Sequence, residues 1–399
     1  MDIKNIRNDF PMLSKKLKMQ DNALVYLDNA ATTFKPQCVS DAINEYNTKL
    51  TSNSHRGDYD LCYQIDKKID EARKDVANFI NSKEKEVVFT SGTSMSINMI
   101  AYGYAMKYLS SSDEILITQA EHASNVLPWF KVKEIKGCEV NFIPLNNEGR
   151  LTPDNLRKVI SKKTKIVSLA YVSNVLGYKN DIKELAKIAH EFGAILVCDG
   201  AQSVPHFKTD VKELDCDFLA FSAHKMCGPT GIGVLYGKYE LLEKMDSVFT
   251  GGGMNVSFDM SCNVNILPPP EKFEAGTLNI EGIIGFDAAI KYINSIGIEN
   301  IEKREIELRK YAIDELSKLD NIIIYNKNAE SGIITFNIKD VFAQDLGSYF
   351  NSRGVAIRTG LHCAKILPTF LNTLATARMS LYFYNTKEEI DKFIAFFLI

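Results

Sequence analysis

Ile195-Leu196-Val197-Cys198-Asp199-Gly200-Ala201-Gln202 is an apolar run that ends in an acid, a glycine and a small residue. Runs this continuous, without polar alternation, are how strands read when both faces of a mainly parallel sheet are buried. Open α/β sheets bind their ligands beyond the carboxyl ends of the strands, which is where Asp199 would stand. Taken alone, Asp199 could ligate a metal, cap a helix or partner a cationic ring. The next apolar run, 218–221, leads into Ser222-Ala223-His224-Lys225-Met226-Cys227-Gly228-Pro229-Thr230-Gly231. A lysine just past a strand, between a histidine and a Gly-Pro loop, is poorly placed for a solvated role.

Lys225 and Asp199 sit at the ends of successive strands. Pyridoxal 5'-phosphate requires such a pair: a Schiff-base lysine, brought down from its usual pKa by desolvation and nearby cations, and a carboxylate on the ring nitrogen. Its phosphate needs donors. Phe89-Thr90-Ser91-Gly92-Thr93-Ser94 closes another apolar run and opens a helical pattern, so backbone N–H groups and hydroxyls could form an anion site, although an ordinary capped helix reads the same way. His122, after a further run, could lie over the ring or serve as a structural histidine.

Working outward, apolar runs at 86–89, 114–118, 140–144, 165–172, 194–198, 217–221 and 232–236 predict a mainly parallel, seven-stranded sheet. Helical stripes lie between several of them, such as Ile182, Leu185, Ala186, Ile188 and Ala189. After 280 the texture changes to helical patterns at 283–296 and 300–319 and strand-like runs at 322–325, 332–338, 355–358 and 378–384. A last helix starts after Thr386, with Glu388 and Glu389 in its first turn. The expected organisation is a large α/β domain over 25–285 and a smaller α+β domain built from 1–24 and 286–399. The stretch 251–270 reads as a long loop. The charged stretch 299–309 reads as a solvated helix face, His190 as structural, and His206 has no assignment.

The 399 residues are 45% hydrophobic and 24% charged, enough for a sizeable core, and the net charge of -3 suggests neither a nucleic-acid partner nor a membrane surface. The first residues are too polar for a signal peptide, and no apolar run approaches a membrane span, so the expected location is cytoplasmic. The eight cysteines are scattered without a CxxC pair, against a zinc site or a disulfide framework.

With these stretches the chain resembles the Suf-type, or group II, cysteine desulfurases and the related selenocysteine lyases, within the class V aminotransferases of fold-type I. The matching segments are Tyr26-Leu27-Asp28-Asn29-Ala30-Ala31-Thr32-Thr33, His55-Arg56-Gly57, Ser173-Asn174-Val175-Leu176-Gly177, Asp199-Gly200-Ala201-Gln202, Ser222-Ala223-His224-Lys225, Phe273-Glu274-Ala275-Gly276-Thr277 and Arg358-Thr359-Gly360-Leu361-His362-Cys363. The resemblance spans 26–399 with order and spacing preserved. It implies that Lys225 carries the cofactor and moves protons, Asp199 pairs with the ring nitrogen, Gln202 bonds the phenolic oxygen and His122 stacks on the ring. Thr93, Ser94, Ser222 and His224 would hold the phosphate, with Thr277 entering from a second subunit of a homodimer. Asn174 and Arg378 would hold the substrate carboxylate, and Arg358 and His55 would line the pocket. Cys363 would take sulfur from L-cysteine, leaving alanine and a persulfide bound for a Suf-type acceptor and iron–sulfur cluster assembly. Arg358 and His362 are the local candidates to favour the thiolate.

Several positions depart from the family pattern: Met95 after Ser94, Ala123 after His122, Cys227 in place of a tyrosine, Leu361 before His362, and 365–370. Cys227 would put a second, oxidisable thiol beside the lysine. Alternatives to cysteine desulfuration are selenocysteine lysis on the same groups, a class V relative acting on another substrate without need of Cys363, and a non-catalytic scaffold for sulfur transfer.

Overall fold

The computed structural model describes residues 1–14, 17–54 and 57–397; His55 lies outside the described residues. Seven strands form the main sheet: β1 (Val87–Thr90), β2 (Glu114–Thr118), β3 (Glu139–Ile143), β4 (Thr164–Ala170), β5 (Ile195–Asp199), β6 (Phe218–Ser222) and β7 (Gly233–Gly237). Their order is β1-β7-β6-β5-β4-β2-β3. Only β7 runs against its neighbours, so the carboxyl ends of all the others share one edge.

The unbroken apolar runs follow from burial on both faces. On β5, Leu196 and Cys198 enter one core and Val197 the other; on β6, Leu219 and Phe221 face opposite to Phe218 and Ala220. The first core is covered by α1 (Asp60–Phe79), and the second by α2 (Thr93–Ile100) and the helix that continues it. α3 (Ile182–Glu191) starts at Asp181, whose side chain accepts from the Glu184 N–H, and buries the five expected residues Ile182, Leu185, Ala186, Ile188 and Ala189. Each fully buried Ile or Leu among them contributes about 1.5–3 kcal/mol. α4 (Ile280–Ile296) packs along α1 through Ile283, Phe286, Ile290 and Ile293.

A second, antiparallel sheet contains β8 (Ile322–Ile324), β9 (Ile333–Ile338), β10 (Arg358–Gly360) and β11 (Thr376–Ser380), in the order β8-β9-β11-β10. α5 (Ile298–Leu316), α6 (Ala343–Asn351) and α7 (Lys387–Ala395) pack against it through Leu308, Phe350 and Phe393. Thr386 and Glu389 cap α7 reciprocally, as expected there.

Four expectations need correction. The strand expected over 378–384 stops at Ser380; Tyr382, Phe383 and Tyr384 are apolar because they fill the first core, and the Tyr382 N–H goes to Asn385 Oδ1 instead of a ladder. The single run at 355–358 is two strands, since Val355–Ala356 pairs in parallel with Val25–Tyr26. The loop at 251–270 holds a hairpin, Asn255–Phe258 with Val264–Ile266. The charged face at 299–309 is not solvated throughout: Glu305 is buried on His206 at 2.9 Å, and buried Arg309 donates to the Ser331 carbonyl at 3.0 Å.

Candidate active site

A cavity opens at the carboxyl edge of the main sheet, where β5 and β6 end, and Arg358 of β10 and Arg378 of β11 close it from the second sheet. Asp199 is its buried acid. One of its oxygens accepts from the Ala201 N–H at 2.9 Å, so it caps its own turn as well as facing the cavity. Burial raises its pKa, opposed by that bond and by the Lys225 cation. Among the described residues no cluster of metal-ligating side chains is present. Of the three readings of Asp199, the cap and the partner for a cation fit its surroundings.

Lys225 ends the short turn after β6 and lines the same cavity. Burial lowers its amine to about 8; Asp199 opposes the shift, and the Arg378 and Arg358 guanidiniums reinforce it. His122 is held by its Nδ1, which accepts from the Ser124 N–H at 3.1 Å. Burial, then Lys225 and the two arginines, push it down to about 4, so its ring is neutral at pH 7.

The far end of the cavity is built for an anion. Gly92 (φ +140°) precedes α2 without a side-chain cap, and a Cβ there would stand 3.1 Å from Ser222 Oγ. That leaves Ser222 Oγ to accept from the Thr93 N–H at 2.8 Å and to form a hydroxyl–hydroxyl bond with Thr93 Oγ1 at 2.8 Å. Ser94 and Ser124 hydroxyls meet at 2.6 Å, and His224 completes the lining. Hydroxyls at a helix start are donors for a phosphate. Gln202 donates to the Ala30 carbonyl at 2.7 Å, while its buried Oε1 has no partner among the described residues, as expected of a group that meets a cofactor. The residues present therefore fit pyridoxal phosphate at both ends.

Arg378 is fully buried, donating to Asp28 Oδ1 at 2.8 Å and to the Asn174 carbonyl at 2.9 Å. Asn174 lines the cavity, and its Nδ2 donates to the His362 carbonyl at 2.9 Å. That bond reaches the loop carrying Cys363. The half-buried Cys363 has its Sγ 3.2 Å from Arg358 Nη2, and its carbonyl accepts from the Ala123 N–H at 2.7 Å. His362 and Cys363 both take left-handed backbone (φ +50° and +59°), which non-glycine residues rarely adopt.

Eleven of the expected site residues thus line one cavity: Thr93, Ser94, His122, Asn174, Asp199, Gln202, Ser222, His224, Lys225, Arg358 and Arg378. Cys363 adjoins it through Arg358. Thr277 does not line it; exposed, it accepts from Asn53 Nδ2 at 3.3 Å beside a separate groove with Thr90, Ser91 and Met95. His362 is not a cation for the thiol: burial and both arginines push it down to about 3, and its Nε2 is tied to Thr376. Cys227 is not the oxidisable thiol expected beside the lysine: it is fully buried, and that burial pushes its thiol up to about 12.

Sequence reasoning missed Ser124, Asp28 and Glu121. Asp28 follows the apolar pair Tyr26-Leu27, an acid past a strand like Asp199, and that signal could have found it. Buried Glu121 accepts from Thr118, Asn125 and the Ala170 N–H, and burial raises it to about 7. Nothing in the sequence marks it apart from its place beside His122.

The family model for aminotransferase class-V matches residues 25–393. A probable cysteine desulfurase of Halalkalibacterium halodurans is 45% identical over 98% of this chain and 96% of its own length. A cysteine desulfurase of Haloferax volcanii is 41% identical over 99% and 96%. Among solved structures, an Escherichia coli cysteine desulfurase in an S-sulfonic acid form superposes with a TM-score of 0.92 at 35% identity, covering 100% of this chain and 98% of that one. The apo cysteine desulfurase of Thermococcus onnurineus gives 0.93 at 37%, covering 98% and 96%.

Proposed function

Because this chain belongs to the aminotransferase class-V family and is a pyridoxal-phosphate-dependent cysteine desulfurase, we propose that Lys225 carries its cofactor and Cys363 takes the sulfur of L-cysteine. The observation that supports the second assignment is the 3.2 Å contact between Cys363 Sγ and an arginine of the cofactor cavity.

When bound, pyridoxal phosphate supplies an electron sink that loosens the bonds at the substrate Cα. Asp199 gives its ring a buried negative partner, and Thr93, Ser94, Ser222 and His224 give its phosphate donors. Neutral His122 offers a ring face without adding a positive charge. Arg378 and Asn174 take the substrate carboxylate. Lys225, with its amine near 8, can accept and return the Cα proton at Nζ close to neutral pH, where an amine at 10.5 would stay charged. Arg358 steadies negative charge on Cys363 Sγ as it attacks. The C–S bond of the substrate breaks and an S–S bond forms on Cys363. The electron pair left on carbon takes a proton, and alanine departs.

Mass spectrometry after treatment with L-cysteine tests the assignment. One added sulfur at Cys363 is expected, with alanine release slowed at least about a hundredfold in Cys363→Ser. Sulfur on another cysteine, or full alanine release by the serine variant, would overturn it. We infer, further, a homodimer in which Thr277 serves the second subunit's site, a cytoplasmic location, and delivery of the persulfide to a Suf-type acceptor for iron–sulfur assembly. Exposed Thr277 supports the first, and the half-buried placing of Cys363 supports delivery.

A further inference from the structure

We propose that the Ala123 backbone N–H and the Asn174 side chain together position Cys363, clipping its loop in an otherwise unfavourable backbone conformation so that the sulfur rests on Arg358. The idea rests on Cys363 as sulfur acceptor. It goes beyond that assignment in naming what holds the thiol at the cavity.

The loop bears two consecutive left-handed residues, His362 (φ +50°) and Cys363 (φ +59°), neither of them glycine. A side chain makes this conformation unfavourable, so it persists only where surrounding contacts over-determine it. Both restraining contacts come from the cavity wall and act on successive carbonyls. Asn174 Nδ2 donates to the His362 carbonyl at 2.9 Å, and the Ala123 N–H donates to the Cys363 carbonyl at 2.7 Å. The two carbonyls belong to the peptide planes on either side of the Cys363 Cα, so fixing both fixes the Cys363 backbone and with it the direction of its side chain. Within the loop, the Ala364 N–H closes a turn on the Leu361 carbonyl at 2.8 Å, and His362 is anchored to Thr376 at 2.9 Å. These hold the loop to itself and to β11, whereas the two clips hold it to the cofactor side.

Both clips grow from the wall of the cofactor cavity. Ala123 follows His122, and Asn174 is joined to Arg378 through its own carbonyl at 2.9 Å. Asn174 therefore has two tasks on one amide: toward the substrate carboxylate, and toward the acceptor loop. Asn174 Nδ2 carries two N–H groups; one is spent on the His362 carbonyl, which leaves the other for a carboxylate beside Arg378.

Ala123 offers a clean test. His122 precedes it with φ −66° and ψ 147°, the conformation required before proline, and Ala123 is the first residue of a single 3₁₀ turn, where proline is tolerated. The Ala123 N–H bonds only the Cys363 carbonyl among the backbone acceptors, while the turn itself is closed by Asn125 and Val126. Ala123→Pro therefore deletes the clip and leaves the turn. The measurement is the alkylation rate of Cys363 by iodoacetamide in the substrate-free holoenzyme, taken at the high-pH plateau where only access matters. We expect at least a threefold faster plateau, unchanged cofactor absorbance, an unchanged KM for cysteine and a lower kcat. A plateau within twofold of wild type overturns the proposal. If the proline variant does not fold, the same plateau is read in Asn174→Ala. A residue that only binds substrate would leave the substrate-free rate unmoved, which overturns the proposal, and a faster rate supports it. Failure of Cys363 as acceptor would show separately, as absence of added sulfur in the wild-type protein.

Discussion

Lys225 shares its cavity with two guanidinium groups, and their charge helps to keep its amine near 8. Addition of pyridoxal phosphate to apo protein needs the neutral amine, so loading should accelerate with pH through about 8. Removing a nearby cation raises the pKa, so in Arg358→Gln the midpoint of that profile should move upward, as followed by absorbance on adding cofactor. An unmoved midpoint would mean that Arg358 has no share in setting the amine. His362 carries a second pH signature. Its folded-state value of about 3 lies below the ordinary 6.5, so between the two the unfolded chain binds the extra proton and stability rises with pH. The stability is complete above 6.5 and lost as pH falls toward 3. Its buried Nδ1 has no partner among the described residues, so a proton placed there meets Arg378 and Arg358 instead of an acceptor. Between pH 7 and pH 4.5 this group should account for about 2 kcal/mol of lost stability. His362→Gln, which retains a donor for Thr376, should lose that much less in urea unfolding over the same range.

At the scale of elements, the short connection from β1 to α2 shapes the anion end of the cavity. Gly92→Ala would strain a φ of +140° and crowd Ser222 Oγ, so cofactor affinity should drop by about tenfold or more, measured by dialysis against pyridoxal phosphate. Beside it, buried Arg73 of α1 holds Glu274 through two bonds of 2.8 Å, and Glu274 also accepts from the Phe89 N–H of β1 at 2.8 Å. Glu274→Gln would leave the guanidinium without its counter-charge, and about 3 kcal/mol of stability should be lost by urea unfolding. The sequence announced β5 and β6 because both faces of each strand are buried, and it announced Asp199 and Lys225 because each follows such a run. It misplaced the end of β11 because Tyr382–Tyr384 are apolar for the sake of the first core, and apolarity alone does not tell a strand from a packed turn. Arg73–Glu274 and His206–Glu305 were illegible for a related reason. Ion pairs between residues far apart in sequence leave no periodicity, so a buried Glu305 looks like one more charge on a helix face.

At the scale of the molecule, the placing of Thr277 makes assembly testable. In the proposed homodimer it serves the other subunit's cavity, so a mixture of refolded Lys225→Ala and Thr277→Ala chains should regain activity above the mean of the parents, because hybrids hold one intact site. No gain on mixing would place Thr277 outside the reaction. Analytical ultracentrifugation across dilution would check the dimer itself. The hairpin exposes the apolar side chains of Val256, Phe258, Met260, Val264 and Ile266, the kind of surface an interface covers.

The chain also stitches its beginning to its end. Arg7 binds the Tyr384 carbonyl at 2.7 Å and Glu389 at 2.9 Å, Val25 lies beside Val355, and Asp28 is the counter-ion of Arg378. During synthesis on the ribosome these early residues must wait, unpaired, until some 350 others have emerged. The nascent protein can therefore assemble its central sheet well before it has a pocket able to grip a substrate. Arg378 and the stretch around it, made long after the sheet, decide when the pocket first becomes competent.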